Sequence, residues 1–100
     1  MIIVSGTLTI DPAKIDRARE LTSTLVAATL QEAGCAQYGY WQSLEQPGVI
    51  RVFEQWADED ALNTHMGTPH MAEFMGSVGE LGITAVDIIR YEVTSSSKLM

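Results

Sequence analysis

The stretch CAQYGYWQSLEQPGVIRVFEQW, residues 35–56, decides the fold. Its two halves, Cys35 to Glu45 and Val49 to Trp56, are rich in the aromatic and β-branched residues that suit a half-buried pleated surface. Between them Gln46-Pro47-Gly48 presets one turn residue at negative φ and frees the next for positive φ. The stretch reads as a β-hairpin, so the chain around it must complete a sheet. Upstream, apolar residues recur at three- and four-residue steps through Ile15, Ala18, Leu21, Leu25 and Ala28, with Val26 and Leu30 beside them, while Lys14, Asp16, Arg17, Arg19 and Glu20 fall elsewhere. Asp11-Pro12 supplies a capping carboxylate and a proline at the first helical position, and Gly34 a left-handed stop, which predicts a helix reaching about Glu32. Residues 2–10, IIVSGTLTI, alternate with the period of a first strand. Downstream, Asp58-Glu59-Asp60 opens a short helix through Leu62 and His65 that Gly67 stops, and Thr68-Pro69 opens another through Met71, Phe74, Met75 and Val78. Ile83 to Val93 reads as the fourth strand.

Strand, helix, strand, strand, helical segment, strand is the order of an α+β, ferredoxin-like split βαβ fold: a four-stranded antiparallel sheet with helices on one face. The other face is then uncovered. Strand two carries aromatics on both parities (Tyr38 and Tyr40 against Trp41), so the expectation is a homodimer through the open sheet face. Residues 1–93 read as one domain and 94–100 as a polar C-terminal tail.

A chain of 100 residues leaves room for one core, and 46% hydrophobic with 19% charged residues is ordinary globular composition. Six Lys and Arg against thirteen Asp and Glu give a net charge of −7, a field that repels nucleic acid and anionic membrane surfaces. Met1-Ile2-Ile3-Val4 has no basic flank and is broken early by Ser5 and Thr7, so no leader is read there and a cytoplasmic location is expected. The single cysteine, Cys35, forms no disulfide framework and, with no cation near it in sequence, reads as an inert small hydrophobe. Nucleotide-binding and serine-hydrolase glycine motifs are absent.

Residues 54–74 hold the densest group of special side chains, E-x-W-x-D-x-x-A-L-x-x-H-x-x-x-P-H-x-x-x-F. Glu54, Trp56, Ala61-Leu62, His65, Pro69-His70 and Phe74, together with Gly34-Cys35-x-x-Tyr38 and the Pro47-Gly48 hairpin, resemble the antibiotic-biosynthesis monooxygenase family of dimeric α+β barrels. The resemblance implies a cavity between sheet and helices in which a quinol- or anthrone-type aromatic is oxygenated by O₂ without flavin, haem or metal, the substrate supplying the electrons. Such chemistry needs a proton acceptor, donors for an oxyanion and an apolar chamber. His65 is the candidate acceptor because imidazole titrates near neutrality, with Asn63 beside it as catalytic donor. Tyr38, Tyr40, Trp56, His70, Met71 and Phe74 are the candidate substrate-binding residues.

Each has a plainer reading: His65 as a hydrogen-bonding group at a helix end, His70 as a neutral wall or surface group, Trp56 and Phe74 as core, Asn63 as an exposed helix residue, the tyrosines as interface. Glu54 reads either as the buried partner of Arg51, Arg90 or a backbone group or as a general base, and the structural ion-pair role is favoured. His65 and His70 are five residues apart with no third ligand close in sequence, which argues against a metal, and no cofactor is expected. Haem-degrading relatives of similar fold carry a histidine and an asparagine at positions that fall near Met75 and Gly6 here, which argues against haem cleavage. Haem ligation by His65 or His70 from another angle, isomerisation of a small signal molecule and a non-catalytic dimeric ligand-binding module stay open beside oxygenation.

Overall fold

The computed structural model describes residues 1–100. The alternating run at the start forms β1, Ile2–Thr9, and the hairpin forms β2, Cys35–Gln42, and β3, Val49–Trp56. With β4, Ala85–Glu92, these make one antiparallel sheet in the order β2-β3-β1-β4. Its helices are α1, Ile15–Thr29, α2, Glu59–Met66, and α3, Pro69–Ser77, with 3-10 turns at Pro12–Lys14 and Val78–Leu81. This is the ferredoxin-like α+β arrangement that the element order implies. No helix is long and apolar enough to cross a membrane.

The helix starts follow their caps. Asp11 accepts a hydrogen bond from Ala13 N–H at 2.9 Å, Asp58 from Ala61 N–H at 2.8 Å, and Thr68 Oγ1 from Met71 N–H at 3.3 Å. The stops differ from the sequence reading in informative ways. α1 ends at Thr29 instead of about Glu32 because Gln31 and Glu32 N–H donate three residues back, to Ala28 and Thr29, which tightens the last turn before Gly34 reverses the chain at φ +83°. β2 ends at Gln42 instead of Glu45 because the Ser43 hydroxyl accepts from both Glu45 and Gln46 N–H, at 3.1 Å each, and binds these residues into the loop. In β1, Ile10 leaves the strand but still donates to Gly48 O at 2.8 Å, and Val93, just past β4, donates to Met1 O at 2.9 Å.

Register decides which side chains meet. On the helix-covered face, Ile2, Val4, Gly6 and Leu8 of β1 stand opposite Trp56, Glu54, Val52 and Ile50 of β3 and Glu92, Arg90, Ile88 and Val86 of β4. Tyr38 and Tyr40 continue the Glu54 and Val52 rows onto β2, whereas Trp41 points to the open face. One core cluster gathers Ile2, Leu25, Tyr38, Trp56, Leu62 and Phe74; a second gathers Leu8, Ile10, Ala18, Ile50 and Leu81. The helices lean toward the β2–β3 side, so all eight residues of β4 stay exposed, Val86 and Ile88 on the helix side and Ile89 and Tyr91 on the other.

At Gly6 the backbone of β4 lies close against β1. A Cβ there would overlap the Asp87 carbonyl oxygen and the Ile88 Cα, so this strand crossing accepts glycine alone. Gly6→Ala is expected to lower stability in urea unfolding by about 1–3 kcal/mol through overpacking. Gly76→Ala, in α3 where a Cβ meets nothing within 4 Å, is expected to be neutral or to stabilise by up to ~1 kcal/mol.

Candidate active site

The gap between the helices and the uncovered half of the sheet is a cavity of about 430 Å³, thirteen of whose sixteen lining residues are hydrophobic. Its floor comes from the helix-side residues of β1, β3 and β4, its walls from Leu62, Met66, Met71, Phe74 and Met75 of α2 and α3. The polar groups are few and convergent: Glu54, Arg90, Asn63 and the Tyr40 phenol. Glu54 and Arg90 lie in one row across Val4, two strands apart, or roughly 10 Å at the usual strand spacing.

Glu54 is the chemically distinctive member. It is 8% exposed, and its Oε1 accepts the Trp56 Nε1–H at 3.0 Å. Burial raises its carboxyl above the ordinary glutamate range; the indole hydrogen bond and the charge of His65 offset part of that rise, and the charge of Glu32 adds to it. The expected ion pair with Arg51 or Arg90 does not form: Arg51 donates to Ser5 Oγ at 3.1 Å, and Arg90 pairs with Glu59 at 3.5 Å and Glu92 at 3.4 Å. The reason is the pleat and the twist. Arg51 is on the opposite face from Glu54, and Arg90 turns toward carboxylates at the rim. Tyr38, next to Glu54 in the same sheet row, and Tyr40, in the Val52 row, share a 3.0 Å hydrogen bond between their hydroxyls. Burial pushes the Tyr40 phenol up to about 12 and Tyr38 higher still, so both stay protonated as hydrogen-bond donors.

His65 lies behind this wall and does not line the cavity. It is 1% exposed, stacked on Trp56 with ring centroids 4.8 Å apart and meeting Tyr38 edge-on at 5.2 Å. Its Nδ1 is 2.7 Å from Glu32 Oε2, and His70 Nε2 is 2.6 Å from the same oxygen. The two histidines, which have no third ligand-type residue close to them in sequence, meet one in space. The tightened turn at the end of α1 carries Glu32 to them from 33 residues upstream of His65. Of the candidate residues, Tyr40, Asn63, Met71 and Phe74 line the cavity; Tyr38, Trp56 and His65 form the buried layer behind it; His70 faces a separate groove with Leu25 and Glu73. Glu32 was not among the candidates, Glu54 was favoured as a structural ion-pair partner over a general base, and Arg90 was named only as its partner. At Gly6 the approach of β4 leaves no room for a side chain.

A glutamate whose folded-state carboxyl titrates above its unfolded value holds its proton longer in the native state. Across the window from the ordinary glutamate range up to that raised value, the folded state binds more protons, so stability falls as pH rises. Glu54→Gln is expected to flatten that slope in thermal melts taken across this window; an unchanged slope would place the titration elsewhere.

Comparison with known proteins follows the same lines. Residues 1–77 match the antibiotic biosynthesis monooxygenase family. A curated Synechocystis protein, described as uncharacterized, is 26% identical over 98 residues, and the chain spans 67% of its length. A Mycobacterium tuberculosis protein, Rv0793, named as a monooxygenase, is 33% identical over 63 residues, which is 63% of this chain and 61% of that protein. The Rv0793 structure superposes with a TM-score of 0.86 at 25% identity, covering 97% of this chain and 98% of that one. A Deinococcus radiodurans structure assigned as an antibiotic biosynthesis monooxygenase superposes with a TM-score of 0.90 at 30% identity, covering 100% of this chain and 99% of that one. The strand register, the sheet-to-helix cavity and the match over more than three quarters of the chain agree: this protein belongs to the antibiotic biosynthesis monooxygenase family.

Proposed function

We propose that the protein is a monooxygenase that oxygenates a small, flat aromatic carrying an ionisable hydroxyl, of the quinol or anthrone type, with O₂. The observation that carries this reading is a desolvated carboxylate, Glu54, in the wall of an apolar cavity and without a cationic partner. As a base, such a carboxylate is stronger than one in water, because burial disfavours its charged form. It takes the proton of the aromatic hydroxyl. Tyr40 and Asn63 donate to the oxyanion that results, while Phe74 and Met71 lie against the ring. The electron-rich anion then reacts with O₂: one oxygen atom enters the ring system, the other leaves as water, and the substrate supplies the electrons. In this reading His65 is a positioning residue. Its ring backs the Trp56 indole, and that indole holds the Glu54 carboxylate.

The protomer works within a homodimer in this proposal, the second copy covering the open sheet face where Trp41, Ile89 and Tyr91 stand exposed. Trp41→Glu is expected to shift the protein from dimer to monomer in sedimentation velocity; an unchanged mass would remove this face as the interface.

Oxygen consumption should be measured with chelator-treated protein and a panel of quinols and anthrones. Protein-dependent uptake is expected, with Glu54→Gln lowering kcat by about 10²–10⁴-fold, the usual share of general-base catalysis. The rising limb of kcat with pH should lie above the ordinary carboxylate range and vanish in that variant. His65→Ala should lower kcat less and move that limb, as a group acting through Glu54 would. Uptake by Glu54→Gln at the wild-type rate would overturn the assignment.

A further inference from the structure

We propose that Glu32, His65 and His70 form a binding site for a divalent transition-metal cation, with Glu32 Oε2, His65 Nδ1 and His70 Nε2 as its ligands. These three atoms lie within 4.8 Å of one another, and each belongs to a different element: the turn after α1, the last turn of α2 and the first turn of α3. None of the three residues lines the substrate cavity, and only His65 is linked to it, through the Trp56 indole.

Charge is the first argument. Glu32 is largely enclosed, and no lysine or arginine pairs with it; its only ionic partners are the two imidazoles, which carry charge only when protonated. Its negative charge acts on its surroundings, helping to raise Tyr38, Glu54 and Cys35. A carboxylate so largely enclosed, in a chain of net charge −7, is a group that a bound cation would relieve. Hydrogen bonding is the second argument. One carboxylate oxygen is shared by two imidazoles, while the other, Oε1, is buried without a partner, as is His65 Nε2. A cation held by Glu32 would engage that carboxylate as a whole.

The donor set identifies the class of ion. Two imidazoles and one carboxylate suit Zn²⁺, Co²⁺ or Fe²⁺ and leave further positions open, whereas Ca²⁺ and Mg²⁺ prefer oxygen ligands. Ligand atoms about 2.1 Å from a tetrahedral ion sit ~3.4 Å apart. The two contacts to Glu32 Oε2, at 2.7 and 2.6 Å, would open by roughly 0.7 Å. His70 is partly exposed at the head of α3, so its ring can make that adjustment, and its side of the cluster is the route of entry. The bound ion would tie three helix ends together directly behind Trp56.

The test uses the untagged full chain, stripped with chelator and titrated with ZnCl₂ by calorimetry and with CoCl₂ by visible absorption. One ion per chain, Co²⁺ bands of low-coordinate geometry and a higher Tm with Zn²⁺ are expected. His70→Ala and Glu32→Gln should each weaken binding by at least the ~10–100-fold that loss of an outer-sphere partner costs. Affinity should also fall as pH drops and protons compete for the imidazoles. His70→Ala, being partly exposed, tests the site even if Glu32→Gln unfolds the chain. No binding at millimolar metal would overturn the proposal and leave Glu32 as an acceptor shared by two imidazoles. Equal binding by wild type and His70→Ala would also overturn it, by assigning the ion to surface carboxylates.

Discussion

The indole N–H of Trp56 must find an acceptor, because the residue has no exposed surface at all. Glu54, two residues earlier on the same strand face, is that acceptor, and this single hydrogen bond organises much of the molecule. It anchors the end of β3 in the larger core cluster, and it sets the Glu54 carboxylate at the cavity wall. On its other side the same ring supports His65, which leads to Glu32 and His70. A hydrophobic core and two polar sites therefore share one side chain. Replacing it would disturb all three at once, so deletion of Trp56 cannot separate a packing role from a chemical one.

Much of the fold was legible because its signals are local. Residues 49–56 alternate with the pleat, and β3 has the bounds that its composition suggested; caps at Asp58 and Thr68 put α2 and α3 where they are. What escaped depends on tertiary direction. Nothing in the vicinity of Glu32 announces that a tightened helix end will turn its carboxylate toward histidines 33 and 38 residues away. Glu54 was visible as a buried acid, but its partner was misjudged, since an arginine nearby in sequence or in the next-but-one strand need not point the same way. Arg90 was named only as an ion-pair partner for Glu54; the cross-sheet row through Val4 shows instead that the two share a cavity.

The two acidic groups have opposite relations to their surroundings. Glu32 is held by two donors that can carry positive charge, whereas Glu54 has one neutral donor and an apolar chamber. The same side-chain type is thereby suited to two tasks, one to hold charge and the other to exchange a proton. Their separation by the Trp56 and His65 rings lets each influence the other through its field without direct contact.

The place of β1 in the sheet has a consequence for how the chain is made. β1 precedes both of its neighbours, β3 and β4, in the chain, and its ladder with the latter joins Ile2 to Glu92. This inner strand thus keeps one edge unpaired until β4, the last of the four strands, has been made. A nascent chain that has reached only Ser77 holds the whole segment matching the family but lacks the strand bearing Arg90. At that stage the cavity has no third floor strand, and the backbone groups of β1 are open to pairing with any other extended chain nearby.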